Sequence, residues 1–204
     1  MILRVENLDL FYGDAQALDG VSFEVEEGSI VAVVGSNGAG KTSLVRSVAG
    51  MLAPARGRIV YRGQDIAGWP SHKVCNLGVG QVAEGRQVFP SLSVAENLTT
   101  GAMLPRARAS RDRMLESVYA MFPVLAERRA QAAGTLSGGE QAVLKTVRDL
   151  NRDGLTCVLV EQNVAVSLKL ASHAYVLENG RITLSGSGQA LLGDDRVRQA
   201  YLGL

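Results

Sequence analysis

Gly35-Ser36-Asn37-Gly38-Ala39-Gly40-Lys41-Thr42 is the stretch that decides the fold of this 204-residue chain. It fits the pattern G-x-x-x-x-G-K-[ST] and sits where the physics of that pattern requires. Ser29 to Val34, just before it, is a continuous apolar run, as expected of a strand buried on both faces; Leu44, Val45, Val48 and Ala49, just after it, follow helical spacing. Glycines let the backbone wrap closely, so the N–H groups of residues 36 to 43, Ser43 included, aim at the α- and β-phosphates of a nucleotide. The helix that starts here adds its positive dipole end. Lys41 sets a point charge against the β- and γ-phosphates, and the Thr42 hydroxyl suits a Mg²⁺ ion.

Outward from this loop, Ile2 to Phe11 alternates apolar and polar residues, and Val21, Phe23 and Val25 alternate again before the Glu27-Gly28 turn. Both read as half-buried antiparallel strands. Arg58 to Tyr61 is a short strand, and Thr156 to Val160 is another of the buried type. Ala174 to Leu184 reads as a hairpin whose Asn179-Gly180 pair supplies a type I′ turn. Between Ser91 and about Thr135 the texture changes: Val94 to Met103 and Met114 to Phe122 carry helical spacing, and strand signal is scarce. The expected architecture is therefore α/β, with an antiparallel β edge subdomain and a helical insertion at about 91–135 within one domain of residues 1–204.

Composition narrows the function classes. Net charge is +1, so no global field favours nucleic acid. The densest basic run, Pro105 to Arg113, reads first as a solvated loop and helix face and second as a contact for acidic lipid headgroups. Cys75 and Cys157 stand far apart with no metal-ligand spacing, and each is expected as a small buried side chain in a reducing compartment. Met1 leads directly into the first strand pattern, and no apolar stretch has the length of a membrane span, so a cytoplasmic chain reaching the membrane through a partner is expected.

A second motif says which kind of nucleotide machine this is. Leu136-Ser137-Gly138-Gly139-Glu140-Gln141 opens a helix, with Ser137 as N-cap and Gly138-Gly139 offering free backbone N–H groups. Together with the upstream phosphate loop it resembles the signature motif of the ABC ATPases. In that family this helix start, here Ser137 to Glu140, binds the γ-phosphate of ATP held by a second ATP-binding subunit, so a homo- or heterodimer sandwiching two nucleotides is implied. The likeness runs from end to end and is closest to the ATP-binding subunits of branched-chain amino acid importers. Tyr12 matches the aromatic that stacks on adenine. Val82 to Pro90 resembles that group's V-P-E-G-R-R-V-F-P stretch, in which Glu84 takes the place of the glutamine that senses Mg²⁺ and signals to the membrane subunit; Ala83 replaces the usual proline. Leu159-Val160-Glu161-Gln162-Asn163 resembles the group's L-V-E-Q-N, with Gln162 standing where most ABC ATPases place a histidine against the γ-phosphate. Lys41, Glu84 and Gln162 are thus the implied catalytic set, and Thr42 and Glu84 the implied Mg²⁺ contacts. His72 and His173 fall at none of these positions and read as surface histidines. Leu177 to Arg181 and Ala200 to Gly203 complete the likeness without adding a site.

The resemblance also shows what is missing. The family needs an apolar strand ending in Asp-Glu, the aspartate for the Mg²⁺ shell and the glutamate to polarise the attacking water. Here Gln141 is followed at once by a stretch, Ala142 to Gly154, that resembles the end of a later helix. A helix-strand-helix unit of roughly thirty residues is absent between Gln141 and Lys145. Glu161 ends an apolar strand but no aspartate precedes it, and its neighbours match the Gln162 strand instead. Either the protein has residues that this sequence omits, or the deletion is real. The first is expected, with an overlong Cα step between Gln141 and Lys145 and an empty slot between the Val158 strand and a Gly80 strand; a real deletion predicts one unbroken helix and direct pairing of those strands.

The implied function is that of an ATP-hydrolysing motor for import of branched-chain or related amino acids. Its partners would be permease subunits and, indirectly, a substrate-binding protein, with the chain peripheral on the inner face of the plasma membrane. Two alternatives stay open: an ATP-binding subunit impaired in hydrolysis, and the ATPase of a related urea or amide importer.

Overall fold

A computed structural model describes residues 1–82, 85, 87–136, 140–161 and 163–202, with 140–145 and 202 described by backbone alone. They form two compact units, one of Met1–Cys75 with Gln141–Leu204 and one of Asn76–Glu140.

The first unit holds two four-stranded sheets. Strand β1 (Leu3–Tyr12) pairs antiparallel with β2 (Ala15–Val25) on one side and with β4 (Arg56–Tyr61) on the other; β5 (Gln64–Asp65) closes the order β2-β1-β4-β5. The alternation of β1 changes phase midway. Val5 and Leu8 are both buried although three residues apart, because the register shifts between them, where Asn7 takes φ 47°. An extra residue at such a bulge lets the strand turn a second set of apolar side chains inward.

The second sheet, of order β6-β3-β7-β8, combines parallel strands β3 (Ile30–Val34), β6 (Cys157–Val160) and β7 (His173–Glu178) with the antiparallel β8 (Arg181–Gly186). Strand β3 has a neighbour on each side, and all five of its residues are buried. Helix α1 (Lys41–Val48) follows it, as the sequence predicts. The β7–β8 turn is the expected one: Asn179 and Gly180 both have positive φ, 49° and 78°, as a type I′ turn requires. Against this sheet pack Val164 and Leu168 of α7 (Val164–Leu170), Leu191 of α8 (Gly188–Gly193) and Val197 of α9 (Asp195–Val197). Each of these short helices begins on a side-chain cap, from Asn163, Ser187 and Asp194 in turn.

In the chain order, α2 (Ser71–Leu77) leads into the second unit, which is helical as expected and wider than 91–135. Helix α3 (Val94–Gly101) opens with a capping box: Ser93 Oγ accepts from Glu96 N, and the Glu96 carboxylate accepts from Ser93 N. A 3-10 turn (Pro105–Ser110), α4 (Arg111–Met121) and α5 (Pro123–Glu127) follow. The basic run is solvated, with Arg106, Arg108, Arg111 and Arg113 all exposed.

Two geometric expectations are not met. Helix α6 (Glu140–Arg152) runs without interruption past Gln141 and Lys145, so the overlong step is absent. Nor is there a strand at Gly80: residues 79–82 form none, and Gln81 Oε1 is buried with no partner among the described residues. A strand needs a neighbour to complete its ladder, and among the described residues none stands beside this stretch. The structure thus joins the helix and, among the described residues, pairs β6 with β3 alone, at the sheet's edge. The cysteines are free and only partly buried, and burial pushes the Cys157 thiol up from its ordinary value.

Candidate functional site

The loop of residues 35–40 leaves β3 at the carboxyl end of a central parallel strand, where open α/β sheets bind ligands. Two glycines are fixed there by geometry. A Cβ on Gly35 would lie 2.1 Å from the Leu177 carbonyl oxygen, so the loop and β7 can approach only if residue 35 has no side chain. Gly40 caps α1 at φ 105°, a left-handed conformation, and a Cβ there would meet the Ala17 carbonyl oxygen at 2.7 Å. Gly35 and Ala39 are buried, whereas Ser36, Asn37 and Gly38 face solvent. The result is an exposed arch on a fixed base.

Backbone bonds hold that base. Ala39 N donates to the Ser36 carbonyl (3.2 Å), and Leu44 N to the Gly40 carbonyl (2.9 Å), which starts the helix. From across the sheet, Gly180 N donates to the Ala39 carbonyl (3.0 Å), and the Gly180 carbonyl accepts from Asp19 N (2.9 Å). The β7–β8 turn is therefore clamped between β2 and the loop.

Lys41 Nζ donates to the carbonyl oxygens of Gly35 (2.7 Å) and Ser36 (2.8 Å), so its charge lies along the loop. The Thr42 side chain is exposed in the first turn of α1. Ser43 is buried, and its hydroxyl meets the Tyr12 hydroxyl at 3.2 Å. Tyr12 itself is about half exposed at 49% at the end of β1, beside α1, which leaves its ring free to cover a planar ligand. A glycine arch, a helix N-terminus and an ammonium group together make a concavity for a polyanion.

The structure thus brings together Tyr12, Gly35, Ser36, Asn37, Gly38, Ala39, Gly40, Lys41, Thr42 and Ser43. Of the remaining expected residues, Glu84, Ser137, Gly138, Gly139 and Gln162 lie outside the described residues. Glu140 is placed only as the first residue of α6. Glu161 is exposed just beyond β6. His72 is exposed, but His173 is partly buried, its ring 4.9 Å from that of Tyr175. The Leu177 to Arg181 stretch, to which the sequence assigns no site, has its backbone laid against the loop. The Asn-Gly signal predicts the turn but says nothing about what the turn leans on.

No group of three or more His, Cys, Asp or Glu able to hold a metal occurs among the described residues. A Mg²⁺ ion fits this site only in the way the ion commonly binds, with nucleotide phosphates supplying most of its ligands and Thr42 adding one hydroxyl. No helix of the described residues is long and apolar enough to cross a membrane.

Residues 18–155 match the family model described as "ABC transporter". The chain is 39% identical to the high-affinity branched-chain amino acid transport ATP-binding protein BraG of Pseudomonas aeruginosa, over 99% of this chain and 100% of that protein. It is 29% identical to a probable branched-chain amino acid transport ATP-binding protein, LivF, of Archaeoglobus fulgidus, over 100% and 99% of the two chains. Among solved structures it resembles a nucleotide-free ATP-binding cassette from an ABC transporter at TM-score 0.83 and 25% identity, covering 100% of this chain and 99% of that one. The ADP conformation of another such cassette matches at TM-score 0.84 and 24% identity, with the same coverage. The Pseudomonas alignment extends over 233 positions while this chain has 204 residues, so at least 29 positions of that relative face a gap.

Proposed function

The chain belongs to the ABC transporter family of ATP-binding subunits, and on that premise we propose that it is the ATP-driven subunit of an importer for branched-chain amino acids. Nucleotide phosphates would lie under the Ser36–Gly38 arch, with Lys41 swinging from the Gly35 and Ser36 carbonyls to the β- and γ-phosphates. Tyr12 would stack on the adenine. Thr42 would hold Mg²⁺, and Glu84 would reach the same ion through water; the ion neutralises charge on the phosphates. Ser137 to Glu140 would close on ATP held by a second ATP-binding subunit, and Gln162 would donate a hydrogen bond to the γ-phosphate. The chain would sit at the inner face of the membrane on permease subunits. Amide or urea uptake by the same machinery is the alternative cargo, and assay of transport with the neighbouring permease subunits separates the two.

The observation that carries this proposal is the fixed arch with Lys41 lying along it. Replacing Lys41 by Ala removes charge-assisted bonds worth about 1.5–3 kcal/mol each, so ATP affinity should fall at least tenfold. Equilibrium dialysis that finds the K41A variant and the unaltered chain equal would sink the assignment.

A second reading concerns hydrolysis. The gap of at least 29 positions against the relative, and the direct run of α6 from Glu140 to Arg152, favour a subunit that binds ATP but turns it over slowly. Loss of a general base costs about 10²- to 10⁴-fold in rate.

A further inference from the structure

Three stretches of backbone meet under the base of the phosphate loop, around one carbonyl. A Cβ on Gly40, the last residue of the loop, would lie 2.7 Å from the Ala17 carbonyl oxygen, and a Cβ on Gly180, in the β7–β8 turn, would lie 2.7 Å from the same atom. Backbone bonds run through the same place: Asp19 N donates to the Gly180 carbonyl at 2.9 Å, and Gly180 N donates to the Ala39 carbonyl at 3.0 Å. Charged side chains stand directly beside these bonds. Leu18 is fully buried, so the alternation of β2 turns Asp19 to the opposite face, where it is only partly covered. Arg181 opens β8 immediately after Gly180 and reaches that carboxylate. Its Nε donates to Asp19 Oδ2 at 2.9 Å, and its Nη2 donates to the same oxygen.

We propose that Asp19 and Arg181 are positioning residues for the phosphate loop: their ion pair latches the β7–β8 turn onto β2 and, through Gly180, holds the Ala39 peptide in the form that receives ATP. Neither acts on the nucleotide directly. The turn is held to β2 at two adjacent points, the Asp19–Gly180 backbone bond and the Asp19–Arg181 side-chain pair. A single bond would let the turn pivot, and the Ala39 carbonyl would follow it; two bonds fix both. Less ordering is then left for the moment of binding. The Arg181 side chain is 67% exposed and that of Asp19 35%, so dissolved salt weakens the latch. The inference rests on the nucleotide reading of the loop.

The test is equilibrium dialysis of ATP against the full chain and four variants, at low and at high salt. Arg181→Ala and Asp19→Ala should each weaken ATP about two- to fivefold in about 0.1 M salt, the worth of an exposed pair. The double variant should be no worse than either single change, because both remove the same contact. In about 1 M salt the screening length falls to about 3 Å, and the ratio of each variant to the unaltered chain should narrow toward one; a loss caused by packing would keep its size. Arg62→Ala is the control. It breaks another exposed pair, to Glu27 at 3.1 Å, three residues before β3 and so at the end of that strand opposite the loop, and should leave ATP affinity unchanged. Unchanged affinity in R181A, additive losses in the double variant, a ratio that high salt does not narrow, or an equal loss in R62A would each overturn the proposal while the nucleotide reading stands. An unaltered chain that binds no ATP would overturn both, and that outcome is read from the unaltered chain alone.

Discussion

Strands β3 and β6 are neighbours with nearly the same chemistry, Ile-Val-Ala-Val-Val beside Cys-Val-Leu-Val, yet they are buried very differently. Val33 of β3 is 0% exposed, while Val158 of β6 is 37% exposed and no residue of β6 is fully buried. The difference comes from what stands beside each strand. β3 has β6 on one side and β7 on the other; β6 has β3 alone among the described residues. A parallel strand is apolar on both faces because it expects cover on both, and one left at an edge advertises a missing neighbour. The phosphate loop grows from the completed strand and is seated against β7 at Gly35 and held by the β7–β8 turn at Ala39. The resemblance to the family would place the site for activating water on a further strand beside β6. Under the proposed function, binding and hydrolysis would depend on separable parts of one sheet.

The sharpest way to break this contrast is to remove volume from the completed side. Leu168, 1% exposed under the parallel sheet, should cost about 2–5 kcal/mol on truncation to Ala, through lost transfer energy and the cavity left behind. Val158→Thr on the open side should cost less than about 1 kcal/mol, because water already reaches that side chain. Urea titrations of the two variants, compared at equal m-value, decide the matter; equal losses would mean that β6 is as well covered as β3.

Gly35→Ala probes the clamp itself. With the new Cβ 2.1 Å from the Leu177 carbonyl, either the loop or β7 must shift, and ATP affinity should drop along with a stability loss of about 1–3 kcal/mol. The matched control is Gly154→Ala, where φ is +94° but nothing lies within 4 Å of the Cβ. It should lower stability modestly through backbone strain while leaving ATP affinity unchanged. A loss of ATP binding in both variants would show that the loop responds to general destabilisation rather than to its own seat.

Much of this contrast was readable from residue order alone. The Gly35–Thr42 pattern between an apolar run and a helix placed the loop, and Asn179-Gly180 placed the hairpin, because both depend on local backbone demands. The bulge at Asn7 was not readable, since Val5 and Leu8 fit neither a strict period of two nor a helix. The strand expected at Gly80 failed for a non-local reason: a ladder needs its partner.

The smallest expected effect is electrostatic. In the helical unit, hydrogen bonds from the Ser93 side chain and backbone hold the Glu96 carboxyl below its ordinary value. Below its unfolded value, near pH 4, the unfolded chain takes up the proton more readily than the folded one. The stabilisation is therefore complete above that range and fades as pH falls through the depressed folded value. Because Glu96 is exposed, the effect should be slight. Melting curves from pH 7 down to 3 should show a small loss that Glu96→Gln diminishes; a pH response identical in the variant would remove the capping box from the account.

We propose that the phosphate loop of this chain suffices to bind ATP, while hydrolysis requires a segment that the family resemblance places between Gln141 and Lys145. ATP affinity and steady-state phosphate release should be measured together for the chain as it stands and for a version carrying the corresponding stretch of the Pseudomonas relative between Gln141 and Lys145. The account predicts the same ATP affinity in both, within about twofold, and turnover about 10²- to 10⁴-fold higher in the restored version. Equal turnover in the two, or ATP binding that appears only on restoration, would contradict it.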